Sequence, residues 1–332
     1  KPPVTTLTGT AGSSQRHELI DLSGNAGNSI TVNALATSLG MTNNVLMSVN
    51  GTRSNIILRD TDGSYGFAAL SGATSGTLQK LQAANQTTLA SGPVAVTGGT
   101  TNYLINAAGT YNQAGAMAFN TLTVDSTAGA VNLDLGANAI TGGTNGKGML
   151  FSGSNDITLS GTAGTTGGGS LWFHNYLAAG KALNMSASYG TSNFFIIGGT
   201  GTTIYSRTGL GKNFVQDGGL FRATAAQNNA ATMRINDGGV FEIGADLNAG
   251  GVGDFSHAIG TGASQILFHG DSGLSAFGAD RVANFGGVGA EVTWGASNFL
   301  TLGSGTDGDY TFKLSSALSN AMITIQNGIN HN

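Results

Sequence analysis

The sequence predicts an all-β protein, a parallel β-helix of about 13–18 coils with about 20 residues to a coil. Three observations predict it. Short segments of alternating apolar and polar residues recur along the whole chain, separated by Gly, Asn, Ser, Thr and Asp. One internal repeat is nearly literal. Charge is scarce: of 332 residues only 9% are Asp, Glu, Lys or Arg, while 55 are Gly.

The alternating segments come in order as Ser29-Ile30-Thr31-Val32, Asn55-Ile56-Ile57-Leu58, Thr121-Leu122-Thr123-Val124, Val131-Asn132-Leu133-Asp134-Leu135 and Asp156-Ile157-Thr158-Leu159. Ser170-Leu171-Trp172-Phe173, Glu291-Val292-Thr293-Trp294 and Met322-Ile323-Thr324-Ile325 follow. A period of two over so few residues marks a short strand with one buried face. The intervening Gly and Asn tolerate positive φ and supply the turns.

The repeat sets the spacing. Phe214-Val215-Gln216-Asp217-Gly218-Gly219-Leu220-Phe221-Arg222 returns as Met233-Arg234-Ile235-Asn236-Asp237-Gly238-Gly239-Val240-Phe241-Glu242. A hairpin stack does not explain recurrence of whole units at one interval, whereas coils laid on coils do. At about 4.8 Å per step, some 16 coils would give a rod of roughly 80 Å. Asp217 and Asp237 are then expected in equivalent turns one coil apart, with their Cα atoms about 5 Å from each other. In-register stacking also accounts for the low charge, since like charges on neighbouring coils repel while Asn and Thr form ladders. One stretch breaks the texture. Residues 60–92 open on the turn cluster Asp60-Thr61-Asp62-Gly63-Ser64-Tyr65-Gly66, and Leu78 and Leu81 then stand three apart. They are expected to leave the rod as a loop or one short helix within a single solenoid spanning 1–332.

Composition excludes several classes. Gly has no three-residue period and Pro occurs three times, so this is not collagen. No Cys is present, which excludes a disulfide scaffold. Hydrophobic residues make up 40% and net charge is −4, unlike a charged disordered chain. The 13 Lys and Arg are dispersed, which argues against nucleic-acid binding. The longest dense apolar run, Phe194-Phe195-Ile196-Ile197, is far short of a membrane span. Lys1-Pro2-Pro3-Val4 reads as a processed or cut end rather than a signal peptide. The sequons at Asn50, Asn85 and Asn184 are what chance yields in a chain so rich in Asn and Thr.

Three stretches are similar to the autotransporter-associated β-strand repeat proteins, passenger-like surface proteins of Gram-negative, verrucomicrobia-type bacteria. Asn120-Thr121-Leu122-Thr123-Val124-Asp125 followed by Ala139-Ile140-Thr141-Gly142-Gly143 resembles the family's strand and Gly-Gly unit. Gly148-Met149-Leu150-Phe151-Ser152-Gly153 with Ile157-Thr158-Leu159-Ser160-Gly161 resembles it again. The most specific stretch is Phe277-Gly278-Ala279-Asp280-Arg281, with Val292-Thr293-Trp294-Gly295 and Leu302-Gly303-Ser304 beyond it. The resemblance implies a right-handed helix, export through the envelope and a place at the cell surface. It implies a structural piece of an adhesin, stalk or filament continued in a longer chain; the unpaired strand edges that a β-helix leaves at its ends make end-to-end association of copies the other expectation.

Parallel β-helices also carry polysaccharide-active enzymes, so carboxylate pairs matter. Asp217 and Asp237 lie in a repeated turn, and repetition favours structure. Asp125 and Asp134 read as outward strand residues. His17, His174, His257, His269 and His331 show no metal spacing. His257 and His269, with Asp254 and Asp271 nearby, read as surface loops. Asp60-Thr61-Asp62-Gly63 and Asp307-Gly308-Asp309 lack the Glu that closes a calcium loop. Gly198-Gly199-Thr200-Gly201 has no Lys partner for a phosphate. Trp172, Phe173 and Tyr176 suggest a sugar-stacking patch, but packing is the commoner fate of such a cluster. The expectation is therefore a non-enzymatic protein with no catalytic, cofactor or metal residues. Surface polysaccharide is the alternative partner, and a polysaccharide-binding or -degrading β-helix is the alternative function.

Overall fold

The computed structural model describes residues 6–7, 18–25, 27–35, 39–48, 53–140, 146–162, 169–187, 194–210, 213–227, 232–248, 253–287, 289–296, 298–301 and 310–331. Two parallel ladders of ten strands each form the body. The first runs through Thr87–Thr88, Asn102–Ile105, Thr121–Asp125, Lys147–Gly153, Ser170–Leu177, Phe194–Gly198, Asn213–Asp217 and Thr232–Asn236, then Gln265–His269 and Ala258–Ile259. The second runs through Gly92–Val94, Gly109–Gln113, Val131–Asp134, Ile157–Ser160, Ala182–Met185, Thr202–Tyr205, Leu220–Ala223 and Val240–Ile243, then Ser272–Ala276 and Phe312–Lys313. From Thr87 to Ile243 the chain alternates between the two, so each coil there donates one strand to each ladder. This is the solenoid that the alternating segments predict.

Coil length departs from the expected 20 residues. Ile197 pairs with Gln216, nineteen residues on, but Ile235 pairs with Phe268, thirty-three on, and Ser272 with Phe312, forty on. Loops inserted between strands lengthen coils without disturbing the ladders, because loop length costs little once the ends are fixed. Among the described residues each ladder counts ten strands, a stack of about 45 Å. Near the C-terminal end a third wall appears, with Phe255–Ser256, Arg281–Asn284 and Ile323–Ile325 in one parallel sheet. Glu291–Trp294 pairs in parallel with Gly328–His331.

The interior is an aromatic stack. Phe151, Phe173, Phe195 and Phe214 follow one another inward from successive rungs of the first ladder, with centroids 5.7, 5.4 and 5.7 Å apart. Phe221 and Phe241 from the second ladder stack at 5.7 Å, and Phe255 continues the series 5.6 Å beyond Phe241. All seven are almost fully buried. At the same time, strands of the first ladder are buried on their outer side too. Leu150, Trp172, His174, Ile196 and Val215 point outward and are still 0–1% exposed.

A second layer covers that face. The described residues between 18 and 81 pair outside the two ladders. Glu18–Asp21, Ile56–Arg59, Tyr65–Leu70, Gly76–Lys80 and Thr31–Val32 make a mixed five-stranded sheet, and Leu39–Thr42 pairs antiparallel with Val45–Met47. Val45, Met47, Ile57, Phe67, Ala69 and Leu81 pack on Leu150 and Tyr176 of the rod. Gly148 permits the approach, because a Cβ there would lie 2.4 Å from the Ser54 carbonyl and 2.7 Å from the Phe67 ring. The loop or helix expected over 60–92 is thus two strands, a single 3-10 turn at Ala83–Asn85 and the first strands of the ladders. Leu78 and Leu81 serve opposite purposes, one inside the layer and one on the rod.

Candidate functional site

Most residues singled out in the sequence lie among the described ones. Asp217 and Asp237 lie on neighbouring coils but not in equivalent positions. Asp217 ends its strand opposite Asn236, while Asp237 stands one residue further on with φ of 42°. The second copy of the repeat carries an extra residue in its turn, and the ladders regain register at Leu220 and Val240. Asp125 and Asp134 cap turns: Asp125 Oδ1 accepts the Thr127 N–H and O–H at 2.9 and 2.6 Å, and Asp134 Oδ1 accepts the Gly136 N–H at 2.9 Å.

The histidines are structural in setting. The His174 ring is 0% exposed, donates from Nε2 to the Ser54 carbonyl at 2.9 Å and meets Phe67 edge-on. Burial pulls its pKa down to about 4. His257 is buried against Phe255, its Nδ1 bonds the Ser264 carbonyl at 3.1 Å, and burial lowers its pKa as well. Its neighbour Asp254 is engaged by Arg281 at 2.9 Å and by the Val282 N–H. Asp271 accepts the Thr311 N–H. His269 faces Asn236 across the ladder. His17 and Asp307 to Asp309 fall outside the described residues.

At Asp60 and Asp62 the Lys80 ammonium stands 3.9 and 3.1 Å away. Hydrogen bonds from the Ser64 hydroxyl and N–H, with Lys80 adding to them, hold the Asp62 pKa near about 2. Among the described residues no group of three or more His, Cys, Asp or Glu converges as a metal site. Gly199 and Gly201 lie against Asn175, where a Cβ would meet its backbone or amide at 2.3 Å, so this Gly cluster serves close coil packing.

Trp172, Phe173 and Tyr176 separate. Phe173 belongs to the interior stack, while Trp172 clusters with Ile196 and Val215 on the outer side. Tyr176 stacks on Tyr65 of the N-terminal layer with centroids 4.0 Å apart. Its hydroxyl is pushed up strongly in pKa, first by burial, so it stays neutral.

Two features were missed in the sequence. The first is a buried ion pair, Arg222 Nε to Glu242 Oε2 at 2.5 Å, between the paired positions of the repeat. Glu242 also accepts the Ser275 and Ser316 hydroxyls, and the Arg222 guanidinium lies 3.3 Å from the Phe277 ring centroid. The signal was the charge reversal at the end of otherwise matching units. The second is a cleft of about 490 Å³ between the N-terminal layer and the rod. The turn Arg59 to Tyr65 forms one wall, and Asp125, Ser152 and Tyr176 form the other. Those three are register partners on successive rungs. Tyr176 reaches it near the end of the eight-residue strand Ser170–Leu177, which runs four residues beyond the alternating segment legible in the sequence.

No helix among the described residues is long and apolar enough to cross a membrane. No protein-family model, no curated protein and no solved structure matches the chain.

Proposed function

We propose that this chain is a structural β-solenoid segment of an exported bacterial surface protein, acting as the shaft of an adhesin, stalk or extracellular filament. The observation that carries the reading is where the polar side chains go. Asp125, Asp134, Ser126, Asn155, Asn175 and Gln216 all bond turns of their own or the neighbouring coil. A chain that spends its polar groups on holding coil to coil is suited to bearing shape rather than to transforming a substrate. The surface resemblance supplies the location. Lengthwise association belongs to the same reading, supported by the exposed Leu314, Leu318, Met322 and Ile329 near the last strands.

Two measurements test it. Negative-stain images of the purified protein should show rods, singly or in line. Antibody raised against it should label intact cells of the source organism without permeabilisation. Labelling that appears only after permeabilisation would refute the surface role.

A further inference from the structure

We propose that the cleft between the N-terminal layer and the rod is a binding site for an uncharged saccharide. The inference goes beyond the shaft role and stands on the geometry of the cleft alone. Its volume, about 490 Å³, is of the size that holds a small ligand, and it lies where two packed units meet, a usual place for such sites.

Its walls present unspent hydrogen-bonding groups in a fixed row. Asp125 Oδ1 takes both bonds from Thr127, which leaves Oδ2 without a partner among the described residues. One rung along, Ser152 is 8% exposed, and its hydroxyl has no partner among the described residues. A residue so buried with an open hydroxyl toward a cleft is a group waiting for a ligand or water. Opposite, the Arg59 guanidinium is held only at 3.4 Å by Asp21 and keeps further N–H donors. Acceptor, hydroxyl and fork donor together match a vicinal diol, which gives and takes hydrogen bonds on adjacent carbons.

The floor supplies apolar contact. Tyr65 and Tyr176 stack beneath the cleft, Arg59 lies 5.5 Å from the Tyr65 ring, and Leu177, Ala178 and Ala179 close the side. Aromatic and methyl surface beside polar rims is the chemistry of a sugar face. Charge decides between neutral and acidic sugars. Asp62, Asp125 and Arg59 line the cleft, and with their ion-pair partners Asp21, Asp60 and Lys80 counted, four carboxylates stand against two cations among the described residues, so a polyanion would be repelled. A peptide is disfavoured because its usual footholds are a free strand edge or an apolar groove. Neither wall offers one: the first is a turn, and the second is a row of side chains on the covered face of a ladder.

Isothermal titration with gluco-, manno- and xylo-hexasaccharides, and with oligogalacturonate as the charged counterpart, tests the proposal. At least one uncharged probe should bind, and oligogalacturonate should not compete. Asp125→Asn keeps an oxygen for the Thr127 turn while weakening the acceptor, and should reduce affinity roughly tenfold. Ala179→Trp, at an exposed rim position, should abolish binding with an unchanged circular dichroism spectrum. No binding by any uncharged probe at millimolar concentration would overturn the proposal. So would preferential binding of the galacturonate, or equal affinity in both variants. Rods that bind no sugar would leave the shaft role standing and remove this site.

Discussion

Acidification should loosen the N-terminal layer from the rod through one residue, His174. Its ring is fully buried, donates to the Ser54 carbonyl and is flanked by Phe67. The folded state holds its pKa at about 4, against an ordinary value of 6.5. As pH falls through 6.5 the unfolded chain takes up a proton that the folded chain refuses. Stability is therefore flat above 6.5, declines below it, and levels off near 4. Between pH 7.5 and 5.0 this one group should remove about 2 kcal/mol. His257 acts in the same direction, whereas Asp62 loses its contribution only below 3.8, so the windows are separable. The assay is urea denaturation at both pH values for wild type and His174→Gln, whose amide can still donate to Ser54. Amide hydrogen exchange over residues 54–70 would localise the effect. The variant should lose about 2 kcal/mol less than wild type on acidification. Equal losses, or loss of protection in the coils at 194–243 rather than in the layer, would refute the reasoning.

Two further predictions concern the interior. Phe221→Ala removes a ring that contacts Phe195, Tyr205, Phe214 and Phe241 and should cost about 3–5 kcal/mol in urea denaturation; a loss below about 1 kcal/mol would mean that the stack closes over the gap. Glu242→Gln leaves Arg222 buried without its counter-charge and should cost about 3–5 kcal/mol. The Arg222→Met, Glu242→Leu double variant should come close to wild type, and a double variant as weak as the single one would contradict this account.

The solenoid was legible because strand alternation and turn chemistry are local. Thr121 to Val124, Val131 to Asp134 and Ile157 to Leu159 carry both within a few residues, and all lie in the ladders. The varying coil length was not legible, since loops between strands leave no trace in the strand pattern. The single extra residue before Asp237 escaped notice because matching motifs hides a shift of register. The N-terminal layer had a signal that went unused. Met149-Leu150-Phe151, Leu171-Trp172-Phe173 and Phe194 to Ile197 are continuous apolar runs rather than alternating ones, which marks strands buried on both faces. The cleft was beyond a linear reading, for Arg59 and Asp125 meet only when that layer docks.

The docking of the layer has a mechanical consequence. A solenoid pulled along its axis has its rungs loaded in series, so it can peel one rung at a time, each yielding at its own small force. Here Asn43 bonds the Thr100 carbonyl and its own carbonyl accepts the Asn102 amide. The Thr42 carbonyl accepts Asn120, Ser54 bonds the Asn120 carbonyl, and His174 bonds Ser54. Phe67 and Ala69 share a cluster with Leu150 and Tyr176. These anchors fall on four successive rungs, so the layer is a splint laid across them. Tension reaching that stretch must shear several attachments together instead of opening them in turn. In single-molecule stretching the splinted rungs should rupture as one event at higher force, after the unsplinted coils have already paid out.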